Sequence, residues 1–218
     1  MKKRAICAAC LLVTSLTAGE ALAADTSYLS VKGGMFLPNG KGGGDSNGLK
    51  SFDTGFALDV AAGYRPAPYA ALEVGTGFYS ASGKDTFAVG VNNTRTVDRT
   101  AYGVPITLTA KGVLEFEKIV LSAGAGVGYY FGFISSDITN SDPAISPTSE
   151  SSHGGALGYQ AVLDADFKVG EHWTIGAAFK WFSTRPELEL TDPTTLTKTK
   201  TKWEMGGSTI SLGAKYSF

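Results

Sequence analysis

The ten residues from Thr209 to Phe218 alternate without interruption. Ile210, Leu212, Ala214, Tyr216 and Phe218 are apolar, and the residues between them are polar or small. Period-two alternation describes a strand with two unlike faces. Seven upstream stretches repeat it, at residues 28–37, 52–64, 69–78, 102–114, 119–131, 157–169 and 173–181. In the fifth, for example, Ile119, Leu121, Ala123, Ala125, Val127, Tyr129 and Phe131 stand opposite Ser122, Gly124, Gly126 and Gly128. No helical period is sustained downstream of the amino terminus, and the 28 glycines with many Thr, Tyr, Phe and Val suit strands and turns. Whatever this chain folds into must pair eight two-faced strands.

The connections alternate as well. Residues 65–68, 115–118 and 170–172 are tight turns, whereas about 38–51, 80–101, 132–155 and 182–205 are long and polar. Short turns at one end and long loops at the other describe an eight-stranded antiparallel up-and-down β-barrel. Most segments reach the roughly 9–11 residues that a tilted strand needs to cross a bilayer.

A soluble barrel of the lipocalin type also alternates, so the faces must be assigned. The polar face is built of Gly, Ser, Ala and Thr with a few charges, which suits a cramped interior. The apolar face carries aromatics near strand ends: Tyr64, Tyr69, Tyr102, Tyr129, Phe131, Phe167, Trp173 and Trp181. Such residues form girdles at the two membrane interfaces. The apolar face is therefore expected to point outward into lipid, and the barrel is expected to be transmembrane.

The amino terminus agrees. Lys2, Lys3 and Arg4 precede the apolar run 5–18, and Ala21-Leu22-Ala23 offers a small-x-small cleavage pattern. Residues 1–23 read as a cleaved signal peptide and 24–218 as the exported barrel. Cys7 and Cys10 both lie in the leader, which leaves the exported part no thiol for a disulfide or a nucleophile. From Ala24 onward 16 basic residues face 19 acidic ones, a net charge of −3, and nothing suggests a nucleic-acid partner.

Ser211-x-Gly213-x-x-Tyr216-x-Phe218 resembles the carboxyl-terminal signal of bacterial outer-membrane β-barrels. With Gly63-Tyr64-Arg65 followed by Leu72-Glu73, the chain resembles the small porin-like OmpA/OmpX/OmpW-like barrels. That resemblance implies the outer membrane of a Gram-negative bacterium and assembly by the barrel-assembly machinery, which reads Ser211, Gly213, Tyr216 and Phe218. It further implies a monomer in contact with outer-membrane lipid and lipopolysaccharide, with loops open to an extracellular partner.

Ten charged residues share the inward parity: Lys32, Lys111, Lys168, Lys180 and Lys215 with Asp53, Asp59, Glu73, Asp164 and Asp166. Unpaired charges in such a lumen cost several kcal/mol each, so pairing is expected. A salt-bridged plug and a selectivity lining for a narrow channel of small ionic or apolar solutes both fit. The fourth loop suggests a hairpin about Asp192-Pro193-Thr194-Thr195, setting Glu189 opposite Lys198 and Glu187 opposite Lys200. It would extend strands seven and eight as a polar ribbon whose Lys198, Lys200 and Lys202 could meet lipopolysaccharide phosphates. Only His153 and His172 are available for catalysis, and no carboxylate is fixed beside Ser151, Ser152 and His153. No paired His or Cys offers a metal site, and no cofactor motif occurs. The reading is a non-enzymatic, structural or surface-interaction barrel with a filled lumen, with a narrow channel as the alternative.

Overall fold

The computed structural model describes residues 27–39, 52–88, 93–141, 147–191, 198–202 and 204–218. Its strands are β1 (Ser27–Pro38), β2 (Gly55–Ala67), β3 (Ala70–Ala88), β4 (Thr94–Glu115), β5 (Ile119–Asn140), β6 (Thr148–Lys168), β7 (Trp173–Thr184), β8 (Glu187–Thr191), β9 (Lys198–Lys202) and β10 (Gly207–Ser217). Eight of them close in the antiparallel order β1-β10-β7-β6-β5-β4-β3-β2, and β8 and β9 form a separate two-stranded sheet. The seam runs from Tyr28 opposite Ser217 to Pro38 opposite Gly207, and the Phe218 N–H donates to the Ser27 carbonyl at 3.0 Å. Closure matters because lipid offers no partner for an unpaired backbone group.

At the short-turn end the chain reverses within a few residues, with the Phe116 N–H donating to Ile119 O at 2.8 Å. Above it the wall is apolar outward all the way round: Val127 is 61% exposed, Leu157 79% and Leu212 70%. A soluble protein does not display such a wall. On β5 the outward apolar residues run from Ile119 to Phe133. At about 3.3 Å per residue and about 45° of tilt that is roughly 30 Å of height, the thickness of a hydrocarbon core.

The structure corrects two of the four long loops. Residues 80–101 and 132–155 are mostly strand: β3 and β4 stay paired to Ala88 opposite Thr94, and β5 and β6 to Ile138 opposite Thr148. The alternation continues there but changes sides. Val97, Ile134 and Ile138 point inward and are buried, beside the equally buried Arg95, Arg99 and Ser136, while Thr96, Asp98, Thr100, Ser135, Asp137 and Thr139 point outward. A reading keyed to outward apolar side chains loses the strand where water replaces lipid. Strands β3 to β6 thus rise above the band as a four-stranded sheet. Residues 40–51, 89–92 and 142–146 of the expected long loops lie outside the described residues.

The ribbon of the fourth loop exists, but not as expected. Glu189 faces Lys200 and Glu187 faces Lys202, with Thr191 opposite Lys198, so the pairing is shifted by two residues. A two-residue shift keeps every side chain on its face, which is why the sequence could not discriminate the two registers. The six residues 192–197 between the strands, with the expected turn, lie outside the described residues. Nor does the ribbon continue β7 and β10 upward. Leu188 is fully buried with Ile134 and Met205, and the Glu189 N–H donates to Ser152 Oγ at 3.0 Å. Gly154 makes room for this: a Cβ there would collide with Glu187 O and lie 3.1 Å from Leu188 Cδ2. A ribbon with an apolar face cannot stand free in water, so it folds over the barrel mouth.

Candidate functional site

The lumen is filled in layers, beginning at the short-turn end. Arg65 bonds Glu115 at 2.9 Å across the rim, and Lys168 bonds the same carboxylate. Just inside, Tyr28, Ala71, Val113 and Val120 pack together.

The next layer is ionic and centres on Asp164 of β6, whose side chain is wholly buried. Lys32 of β1 bonds one of its oxygens, while Lys111 of β4 at 2.7 Å and Ser122 Oγ of β5 at 3.0 Å share the other. Lys111 also reaches Glu73 at 2.5 Å, and Tyr28 OH donates to Glu73 at 2.7 Å. Lys215 of β10 bonds Asp166 at 2.6 Å, and Lys180 of β7 bonds Asp59 of β2. The Lys111 stem lies along the wall at Gly124, where a Cβ would sit 2.6 Å from Lys111 Cγ. Buried charges are tolerated only when paired and hydrogen-bonded, and each of these four cations meets a carboxylate.

Eight of the ten sequence-designated charges meet in this layer; two do not. Asp53 precedes β2 and is exposed; its N–H bonds Ser82 O, and its side chain never enters the lumen. The strand begins only at Gly55, so the inward parity read from residue 52 does not apply to it. Lys168 has the right parity but sits at the rim with Glu115, because β6 ends there.

Above the ions Tyr130 OH donates to Gln160 Oε1 at 3.2 Å, and Gln160 Nε2 donates to Thr109 Oγ1 at 2.7 Å. A cavity of about 50 Å³ lies between Ser30, Asp59, Thr107, Gln160 and Lys180. That is space for a few waters, at roughly 10–15 Å³ each. An aromatic layer follows. Phe182 stacks on Tyr130 at 5.4 Å and on Phe36 at 5.7 Å, and Tyr79 lies 4.9 Å from both Phe36 and Phe182. Ile134, Leu188 and Met205 close over these rings, leaving an apolar cavity of about 20 Å³ beside Phe52.

Phe36, Tyr79, Tyr130 and Phe182 were not among the site residues read from the sequence. Their parity with Lys32, Glu73, Ser122 and Lys180 was the available signal. Bulky rings on the cramped face of a small barrel are a lumen filling.

The expected girdle residues all point outward. Tyr64, Tyr69, Phe167 and Trp173 lie toward the short-turn end, where Trp173, Tyr216 and Phe218 pack edge to face at 5.0 and 5.2 Å. Toward the other end are Tyr102, Tyr129, Phe131 and Trp181. Of the terminal signal, Ser211 and Gly213 face the lumen and Tyr216 and Phe218 face outward. Ser152 and His153 point to opposite faces of β6, which rules out a Ser–His pair between them.

Residues 8–218 match the model of the outer membrane protein beta-barrel domain. The chain belongs to this family. Solved barrels share its architecture. OprG from Pseudomonas aeruginosa is 15% identical, with a TM-score of 0.53 over 90% of this chain and 98% of that one. Neisserial surface protein A is 13% identical, with a TM-score of 0.51 over 88% and 97%. A major outer membrane protein from Thermus thermophilus is 15% identical, with a TM-score of 0.51 over 88% and 99%. At such identities the likeness is one of fold. No curated protein matches the sequence. Membership places the barrel in the outer membrane of Gram-negative bacteria, its wall in lipid.

Proposed function

We propose that this protein is a non-conducting, non-enzymatic surface barrel. Its lumen holds the wall together, and its work is done by the sheet and ribbon above the membrane. The observation that carries this reading is the stack of closures in series: paired ions, four rings in contact, and the Leu188 ribbon over them. An ion crossing the lumen would have to displace each in turn. Residues 1–23 are taken as a cleaved export signal, and Ser211, Gly213, Tyr216 and Phe218 as the signal read by the assembly machinery. The barrel is taken as a monomer that offers its β3–β6 sheet to an extracellular partner. Lys200 and Lys202, both exposed on the ribbon, are the cations such a partner would meet first.

The alternative, a narrow channel for small ionic or apolar solutes, draws support from the charge-lined cavity of about 50 Å³. Planar-bilayer conductance of the refolded protein tests both. A silent membrane is expected, with folding verified by faster migration of the unheated sample. Discrete steps that change on Lys111→Ala or Asp164→Ala would overturn the closed-lumen reading.

A further inference from the structure

The four lumen lysines each meet a carboxylate; above the ribbon a buried arginine does not. On the inner face of the tall sheet, three register pairs follow one another down β4 and β5: Arg95 with Asn140, Val97 with Ile138, and Arg99 with Ser136. Arg95 is 7% exposed and Ser136 4%, and Val97, Arg99 and Ile138 are buried with them. Arg95 Nε donates to Asn140 Oδ1 at 2.9 Å, which holds the guanidinium against a neutral partner. Among the described residues Arg95 forms no salt bridge. Its Nη1 is buried without a hydrogen-bond acceptor, and Ser136 Oγ is buried without a partner.

A buried charge is stable where an opposite charge meets it, and a buried polar atom left without a bond destabilises the fold. Both ends of this short ladder therefore lack an oxygen acceptor, and its middle is apolar. Alternate residues of an extended chain recur at about 7 Å, so the ladder spans roughly 14 Å from Arg95 to Arg99. Asp85, opposite Val97 on β3, and Glu150, opposite Ser136 on β6, stand on the same face. Both are half-buried, as is Asn140, so the rim of the site meets water.

We infer that this face holds an extended acidic segment of an extracellular protein, whose side chains alternate carboxylate, apolar, carboxylate. The planar guanidinium fork takes a carboxylate bidentately. A carboxylate at the upper end would accept from Arg95 Nη1, and one at the lower end from Ser136 Oγ beside the charge of Arg99. An apolar side chain between them would lie on Val97 and Ile138. Asp85 and Glu150 balance the two arginines, so the face has no net charge to draw a polyanion, and a sulfated glycan has no apolar group for the middle of the ladder. Lipid laps the outer side of the sheet, whereas these residues line the inner side.

Fluorescence anisotropy of the refolded protein in detergent tests the assignment. The probe is a labelled, acetylated pentapeptide of glutamate, threonine, valine, threonine and glutamate; the comparison carries glutamine in both glutamate places. The glutamate peptide is expected to bind about tenfold tighter than the glutamine peptide. Arg95→Gln keeps a donor for Asn140 but removes the charge, and should remove that difference. Ser136→Ala should weaken the glutamate peptide about threefold, and it decides the matter alone if Arg95→Gln fails to show the faster migration of a folded, unheated barrel. Lys200→Ala with Lys202→Ala should weaken it less than about twofold, because exposed cations bind weakly. Equal binding of the two peptides, no loss in either inner-face variant, or a loss carried by the ribbon lysines instead would overturn the inference. So would displacement of the peptide by an equal concentration of a fully sulfated disaccharide, which would make the ligand a glycan. The inference rests on the tall sheet as the working surface, yet the two readings fail separately. A silent membrane with no peptide bound overturns this site and leaves the closed lumen standing; stepwise conductance with peptide bound does the reverse.

Discussion

Strands β3 to β6 run through both the band within the membrane and the sheet above it, and their outer face changes polarity between the two. In the band, Val127 and Leu163 face out while Lys111 and Asp164 face in. Six or more residues further along β4 and β5, Asp98 and Asp137 face out while Val97 and Ile138 face in. Nothing in the ladder changes: register and pairing run straight through from Glu115 opposite Val120 to Arg95 opposite Asn140. What changes is the solvent on the convex side. In lipid the hydrophobic requirement falls on the outer face and the inner face must satisfy its own charges; in water the outer face turns polar and apolar residues return to the inner face, here beside the buried Arg95 and Arg99.

The contrast can be broken most severely in the band's interior. Asp164→Ala takes the carboxylate from Lys32 and Lys111 at once, and only Lys111 keeps a second one in Glu73. Removing one partner of a buried pair costs about 3–5 kcal/mol, so the urea midpoint in lipid vesicles should fall accordingly. A loss below about 1 kcal/mol would mean that water reaches the network and screens it.

The outer face offers the next largest effect. Val127→Arg, near mid-band, should cost about 2–4 kcal/mol, and Ser135→Arg, only eight residues on and also outward, about 0–1 kcal/mol. Comparable losses measured side by side would misplace the boundary at the Tyr102–Phe133 row.

The smallest effect is expected above the membrane. Lys84 and Asp98 form a bridge at 3.4 Å with side chains 66% and 48% exposed. Lys84→Met should change stability by less than about 1 kcal/mol, in sharp contrast to Asp164→Ala. If the two substitutions proved equal, the distinction between buried and exposed pairs on which the comparison rests would fail.

Much of the fold could be read in the chain because both faces of each membrane strand are chemically marked. Alternation located all eight strands, and turn length located the two ends. The strand ends at the loop side could not be read in the same way. Ser80, Ser82 and Lys84 look like loop residues unless the inward Tyr79 and Ala81 are recognised as the new apolar face. The lumen was half legible: parity brought Lys32, Lys111, Asp164 and Asp166 to one face, but misjudged Asp53, where the strand had not begun.

By itself the sequence settled the number of barrel strands, the face each turns to lipid, and the balance of charge inside, since all three follow from local period and composition. It left open which lysine meets which carboxylate. Asp164 serves Lys32 and Lys111 from strands that are not its neighbours in the chain, and only the curvature of a closed ring brings them together. It also left open where the ribbon lies. Leu188 needed an apolar partner, and the depth of the mouth, the absence of a side chain at Gly154 and the reach of Ile134 and Met205 decided that it would fold inward.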